Sequence, residues 1–243
     1  PTMLDIRQIS NDPEGFARRL ARRGGTDRLE PVLEPDRRRR VVPILVWAAI
    51  VVLLAWGAYA GLIRPNLFPR NFGVVEDGKI YRTAALTPGA TRNLVEKYGI
   101  KTIIDLGGFD KKPALAQVAQ NTSEALGVKR YVFELNGDGT GNPNAYVAAL
   151  RVMNDPANQP VLVHCSAGAQ RTSACVILYR HIVQGKDFSA VYHEAYEHDH
   201  DPGSNRAMGP YLLDWSDRIE RAYREGGWVP GFPEFSKSLE ARP

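Results

Sequence analysis

The sequence predicts an α/β domain, a central and mostly parallel sheet with helices on both faces, preceded by one transmembrane helix. Three observations predict it. From Asn71 onward, short β-prone runs alternate with helical patterns, the rhythm of linked βαβ units. Val161-Leu162-Val163 leads through His164-Cys165-Ser166-Ala167-Gly168-Ala169-Gln170-Arg171-Thr172 into an apolar stretch from Ala174 to Val183, which reads as strand, tight loop and helix. Val41 to Ile63 runs for 23 residues without a charge.

The first 40 residues hold ten arginines, no lysine and seven acids, a net +3 within a chain total of +4. The remainder is close to neutral, so no extended basic surface points to a nucleic-acid partner. At ~1.5 Å per residue the apolar run reaches about 34 Å, enough for a hydrocarbon core of ~30 Å. Trp47, Trp56 and Tyr59 suit its interfacial zones. A cleaved signal peptide fits poorly, because the run is long and about 40 residues precede it. A buried core helix is the plain alternative, and an uninterrupted apolar face all round argues against it. Arg22, Arg23, Arg28 and Arg37–Arg40 precede the run, against Arg64, Arg70, Lys79 and Arg82 after it. The positive-inside rule then puts the N-terminus in the cytoplasm and residues 64–243 across the membrane, in the periplasm if the cell is bacterial. The expected organisation is an Arg-rich segment (1–40), a span (41–63), a catalytic domain (64–225) and an irregular Pro/Gly-punctuated tail (226–243).

Met3-Leu4-Asp5-Ile6-Arg7, Asn11-Asp12-Pro13-Glu14 and Leu20-Ala21-Arg22-Arg23-Gly24 resemble the opening of bacterial seryl-tRNA synthetases. In that family the segment leads into a helical hairpin that grips tRNA. Here it runs into Arg37–Arg40 and the apolar stretch, with no aminoacylation core, so the family's activity does not carry over. A short amphipathic helix around Pro13–Arg23 is the preferred reading, with RNA contact as the alternative.

Within the domain, Val74 to Arg82 reads as a hairpin around Asp77-Gly78. Thr87-Pro88 opens a helix as cap and first residue, and Gly99 closes it. Lys101 to Leu106 is a buried strand, Pro113 to Leu126 a helix and Val128 to Leu135 a strand. A Gly/Asn/Asp-rich loop, Asn136 to Asn142, precedes a helix from Pro143 to about Asn154. After the Cys-bearing loop, Asp187 caps a helix to about His198, and Met208 to Arg224 is the last.

The loop between strand and helix carries the chemistry. Its amides and the positive helix end converge on one spot, a cradle for a phosphate-sized anion. Arg171 adds a planar grip on two anion oxygens, and the same field favours thiolate over thiol at Cys165. A buried structural Cys beside a solvated Arg is the plain alternative. His164-Cys165-(five residues)-Arg171-Thr172 resembles the signature of the cysteine-dependent phosphatases, the protein-tyrosine and dual-specificity superfamily. Gly78-Lys79-Ile80-Tyr81-Arg82, the Lys101–Leu106 strand and the helix at 188–200 also resemble segments of its atypical and bacterial dual-specificity-like members. Two departures stand out. Many members have Arg after the Asp-Leu pair, where this chain has Gly107-Gly108. Many bacterial members have Asp-Arg-Thr in the loop, where Gln170 replaces the Asp.

The resemblance implies a phosphoric monoester hydrolase working through a phosphocysteine. Cys165 is the nucleophile, and the amides of Ser166, Ala167, Gly168, Ala169, Gln170 and Arg171 with the Arg171 guanidinium hold the phosphate oxygens. Thr172 hydrogen-bonds the thiolate, and His164 is an orienting donor behind Cys165. The leaving oxygen needs an acid. Asp138, on the Gly137–Gly141 loop and 27 residues before the Cys, is the choice; Asp110 is second, and a mere turn Asp is the competing reading. No cofactor or metal is expected. His193, Glu194, His198, Asp199, His200 and Asp201 cluster without a metal-ligand spacing and read as a solvated helix end. Cys175 reads as a core residue. The partner is a phosphorylated protein or small phosphomonoester, with phosphotyrosine and dual-specificity protein substrates favoured. The alternatives are a non-catalytic phospho-ligand module and another Cys-loop enzyme, such as a sulfurtransferase or arsenate reductase.

Overall fold

A computed structural model of the chain describes residues 14, 15, 18, 21, 22, 30–236 and 239. The synthetase-like segment lies largely outside them; Glu14, Gly15, Arg18 and Ala21 are helical. The chain divides into two compact units, residues 1–59 and 60–243.

The first unit contains α1, Glu30–Ala58. It begins eleven residues before the expected span, because the Glu- and Arg-rich sequence ahead of Val41 also favours helix. The stretch Val42–Gly61 is long and apolar enough to cross a membrane by length and composition, and none of it is buried within the protein. A π-helical turn, Tyr59–Ile63, and α2, Arg64–Leu67, continue the chain.

The second unit is built on five strands: β1 Gly73–Glu76, β2 Ile80–Ala84, β3 Thr102–Asp105, β4 Lys129–Val132 and β5 Val161–Cys165. Their spatial order is β1-β2-β5-β3-β4. Only β1 and β2 pair antiparallel, through the expected Asp77-Gly78 hairpin; the other pairs are parallel. Every residue of β2, β3 and β5 is buried, as a parallel sheet covered on both faces requires. The central strand β5 therefore delivers Cys165 to the C-terminal edge of the sheet, the side on which ligands bind in such folds.

The helices are α3 Pro88–Tyr98, α4 Pro113–Ala125, α5 Pro143–Asn154, α6 Gln170–Leu178 with a π-helical extension Tyr179–Val183, α7 Phe188–Glu194 and α8 Met208–Arg224. Their starts follow the sequence signals. Thr87, Asn142 and Asp187 each accept a backbone N–H at a helix start, from Ala90, Asn144 and Ala190, and Gly99 ends α3 in the left-handed conformation. Alternate strand positions feed two cores. Ile80, Ile104, Val161 and Val163 pack with Tyr146, Leu150, Ile177, Met208 and Leu212. Tyr81, Ile103 and Leu162 pack on the other face with Leu94, Ile100 and Val128.

Two elements differ from expectation. The strand expected over 128–135 stops at Val132: Phe133 N–H still bonds Asp105 O at 2.9 Å, but β3 has ended and the chain turns away. The tail after Gly226 is irregular, yet it is held down. Asn144, buried in α5, donates to the carbonyls of Val229, Phe232 and Pro233 and accepts from Val229 N–H at 2.7 Å. Phe235 then meets Phe133 edge-on at 5.4 Å.

Candidate active site

The loop from Ser166 to Ala169 turns at the end of β5 and enters α6 at Gln170. Its carbonyls are pulled outward. Ala85 N–H bonds Ser166 O at 3.2 Å, Asn71 Nδ2 bonds Ala167 O at 2.9 Å and Arg82 Nη2 bonds Gly168 O at 2.6 Å. With three successive carbonyls facing the body of the protein, the amides of the same peptides turn toward the loop's interior. Among the described residues, the amides of 166–169 donate no backbone hydrogen bond. Added to the ~+0.5 charge equivalent at the start of α6, this is an anion nest.

Gly168 is indispensable to that geometry. Its φ is +71°, and a Cβ there would lie 2.7 Å from Ala84 N and 2.8 Å from Thr83 C, so the loop can approach β2 only without a side chain.

Cys165 is buried at the base of the loop, in register with Ala84. Arg171 is buried as well. Its Nη1 faces Leu106 O at 3.1 Å, Leu135 O at 3.4 Å, the Asp110 carboxylate at 2.6 Å and, closer still, Gly107 O. Its Nε is buried with no hydrogen-bond partner. The guanidinium is thus gripped at one nitrogen while another N–H is left without an acceptor. Here Gly107-Gly108 finds its reason. A Cβ on Gly107 (φ +83°) would meet Arg171 Nη1 and Asp110 Oδ1, each at 2.5 Å, and one on Gly108 would meet His164 Nδ1 and Cε1 at 2.9 Å. Asp105, buried and paired with Arg130, also accepts the Gly108 N–H and fixes this turn.

The expected supporting residues fall in three groups. His164 is buried beside Phe109, its Nδ1 3.5 Å from Cys165 O; burial lowers its pKa and keeps the ring neutral. Thr172 is buried in α6, but its hydroxyl has no hydrogen-bond partner, so the expected bond to the Cys165 sulfur is not formed. Asp138 lies on a loop that passes the start of α6: a Cβ on Gly139 would stand 3.5 Å from Gln170 O. Asp138 Oδ1 accepts from Thr140 N–H at 3.0 Å and Thr140 Oγ1 at 2.7 Å, so its carboxylate is engaged within its own turn. Asp110, the second choice as acid, is instead the carboxylate partner of Arg171.

The 193–201 cluster is not one solvated helix end. His200 is buried, its Nδ1 2.5 Å from Gln170 Oε1 and its Nε2 2.9 Å from Tyr192 OH. The Gln170 side chain therefore turns back into the protein. Asp199 binds Arg70 and Asn71, bracing the residue that holds Ala167. Among the described residues, no group of three or more His, Cys, Asp or Glu is placed to hold a metal ion. Cys175 is buried with its Sγ 3.6 Å from Met153 Sδ, and burial pushes its pKa to about 12, leaving it inert.

Arg82 was not anticipated. It is 3% exposed and also donates to Ser173 Oγ at 2.8 Å. Burial lowers its pKa to about 10, against the opposing influence of the Cys165 charge; it stays cationic at neutral pH. The signal was present, since an arginine inside a buried strand must have acceptors waiting for it.

A family model described as a DSP-PTPase phosphatase fused to NAD+ kinase matches residues 70–208, more than half the chain. The chain belongs to this cysteine-dependent phosphatase family. The matched range contains the five strands, the cradle and both carboxylates discussed above. Inositol diphosphatase Siw14 of Saccharomyces cerevisiae is 27% identical over 168 residues, which is 67% of this phosphatase and 57% of that relative's length. The catalytic core of Siw14 in complex with citrate superposes with a TM-score of 0.52 at 25% identity, covering 67% of this chain and 96% of that one. TpbA of Pseudomonas aeruginosa shares the fold, with a TM-score of 0.51 at 23% identity over 64% of this chain and 91% of that one. Serine–tRNA ligase of Moorella thermoacetica is 63% identical over 38 residues, 16% of this chain and 9% of the ligase. That match is short.

Two outcomes test this geometry. Gly168→Ala forces a non-glycine residue into a left-handed conformation, which costs roughly 1–2 kcal/mol. For a domain of this size that lowers the melting temperature by about 2–8 °C, before the clash with β2 is counted; phosphatase activity should fall with it. An unchanged melting temperature and rate would show that the loop does not need this approach. His198 has a folded pKa of about 4, lowered chiefly by burial and then by Arg82, from 6.5. The unfolded chain therefore binds the extra proton first, and stability falls as pH drops from about 6.5 to 4. His198→Gln should flatten the slope of denaturation midpoint against pH in that window; an identical slope would refute the assignment.

Proposed function

We propose that this phosphatase hydrolyses singly phosphorylated monoesters through a phosphocysteine at Cys165. One observation carries the reading: Arg171 is buried beside a loop at Cys165 whose three successive carbonyls are drawn outward. The amides opposite those carbonyls and the guanidinium beside them are donors that phosphate oxygens would accept.

In the first step the Cys165 thiolate attacks phosphorus, the P–O ester bond breaks and the leaving oxygen takes a proton from Asp138. In the second step water attacks the phosphocysteine, Asp138 receives its proton, the P–S bond breaks and inorganic phosphate departs. The nest amides and Arg171 stabilise the equatorial oxygens as charge builds on them. Thr172, whose hydroxyl has no other partner, is free to donate to the sulfur as it leaves. His164 stays neutral and holds the Cys165 peptide. Siw14 is named for an inositol diphosphate. Here the loop's side chains besides Arg171 are Ser166, Ala167, Ala169 and Gln170, none of them cationic, which favours a substrate with one phosphate.

Membrane anchoring is part of the proposal. It is supported by the composition of Val42–Gly61 and by the arginine excess before it, which orients the N-terminus to the cytoplasm and residues 64–243 to the opposite side.

The test is hydrolysis of p-nitrophenyl phosphate by the full chain alongside Cys165→Ser, which should be inactive. Persistent turnover in that variant would end the phosphocysteine reading. Asp138→Asn should slow an alkyl phosphate, whose leaving group needs a proton, by about 10²–10⁴-fold, and p-nitrophenyl phosphate far less. Equal slowing of both would remove Asp138 from the acid's role. A phosphatase or fluorescent reporter fused after Pro243 should report the extracytoplasmic side. A cytoplasmic signal would overturn the orientation.

A further inference from the structure

We infer that the groove beside the cradle receives the hydrocarbon part of an amphiphilic phosphomonoester, so that the substrate is a phosphate on an alkyl or acyl chain. This rests on the phosphatase reading and names the substrate class for the same site. The groove has a volume of about 310 Å³ and reaches the cradle, since Ser166, the first residue of the cradle loop, also lines it. From there it runs between the start of α3 and one face of α4, walled by Leu86, Pro88, Phe109, Leu115, Val118 and Ala119.

The polar residues along it offer a ligand little. Thr87 Oγ1 accepts the Ala90 amide and bonds Asn66, Thr91 Oγ1 donates to Thr87 O, and Thr122 Oγ1 donates to Val118 O. The Ala85 amide is held by Ser166 O. With those groups engaged inside the protein, the wall presents methyl, methylene and aromatic surface. A peptide backbone would find few partners there, and a polyphosphorylated ring would find only Lys112 among the cations lining it. Lys112 sits where α4 begins and complements one phosphate. Leu115 and Val118 are 49% and 43% exposed on the rim, solvent-facing apolar surface that a chain would cover.

The test uses the full chain in nanodiscs, with butyl, hexyl and octyl phosphates as substrates and the matching alkylphosphonates as non-hydrolysable ligands. A buried methylene contributes about 0.8 kcal/mol, about fourfold each. Both kcat/KM and phosphonate affinity should therefore rise at least tenfold from butyl to octyl. Leu115→Gln with Val118→Gln, at exposed positions outside the cradle, should erase most of that gain while leaving p-nitrophenyl phosphate turnover within about twofold. Because the lipid around the wild type and the variant is the same, partitioning into it cannot produce the difference. Chain-length independence alongside normal p-nitrophenyl phosphate turnover overturns the groove assignment, as does a phosphotyrosine peptide preferred over octyl phosphate. Length-dependent phosphonate binding that the rim variant erases, without turnover of any ester, upholds the groove and overturns the enzymatic reading instead.

Discussion

The site depends on three backbone carbonyls being held the wrong way round for an ordinary turn. Ser166, Ala167 and Gly168 present their oxygens to Ala85, Asn71 and Arg82, and an anion nest follows from peptide planarity: fix the C=O direction and the opposing N–H direction is fixed too. Everything else serves that constraint. β2 lies parallel and in register with β5, which places Ala85 and Arg82 behind the loop. Gly168 lets the two backbones close, and the Arg70–Asp199–Asn71 contacts steady the third donor.

A second layer organises Arg171. Asp105 and Arg130 fix the Gly107-Gly108 turn, that turn presents carbonyls to Nη1, and Asp110 adds its charge. Burying Asp105, Arg130 and Arg171 is expensive in itself, and buried charges of this kind cluster at functional sites.

Much of this was legible in the chain. The strand–loop–helix around Cys165, the Thr87 and Asp187 caps and the α/β alternation followed from local rules, because apolar period, capping oxygens and glycine act within a few residues. The roles of Arg82, Asn71, Asp110 and His200 were not legible. Their partners lie 86, 96, 61 and 30 residues away in sequence, and only the closed sheet brings them together. Gly107-Gly108 looked like a departure from the resembling family; the structure makes it a spatial necessity, since side chains there would strike Arg171 and His164. Likewise the 193–201 histidines looked solvent-bound, whereas His200 turns inward, donating from Nδ1 to Gln170 Oε1 and accepting at Nε2 from the Tyr192 hydroxyl. The end of the second edge strand was misjudged because β propensity continues past Val132 while its pairing partner does not.

Arg82 leaves the protein with a buried cation behind the Cys165 loop, bonded to the Gly168 carbonyl. An approaching dianion therefore meets an electrostatic well dug by the fold itself, not one assembled on arrival. Any anion seated in the loop is favoured by the same well, so its binding is tied to a side chain that holds the loop from behind.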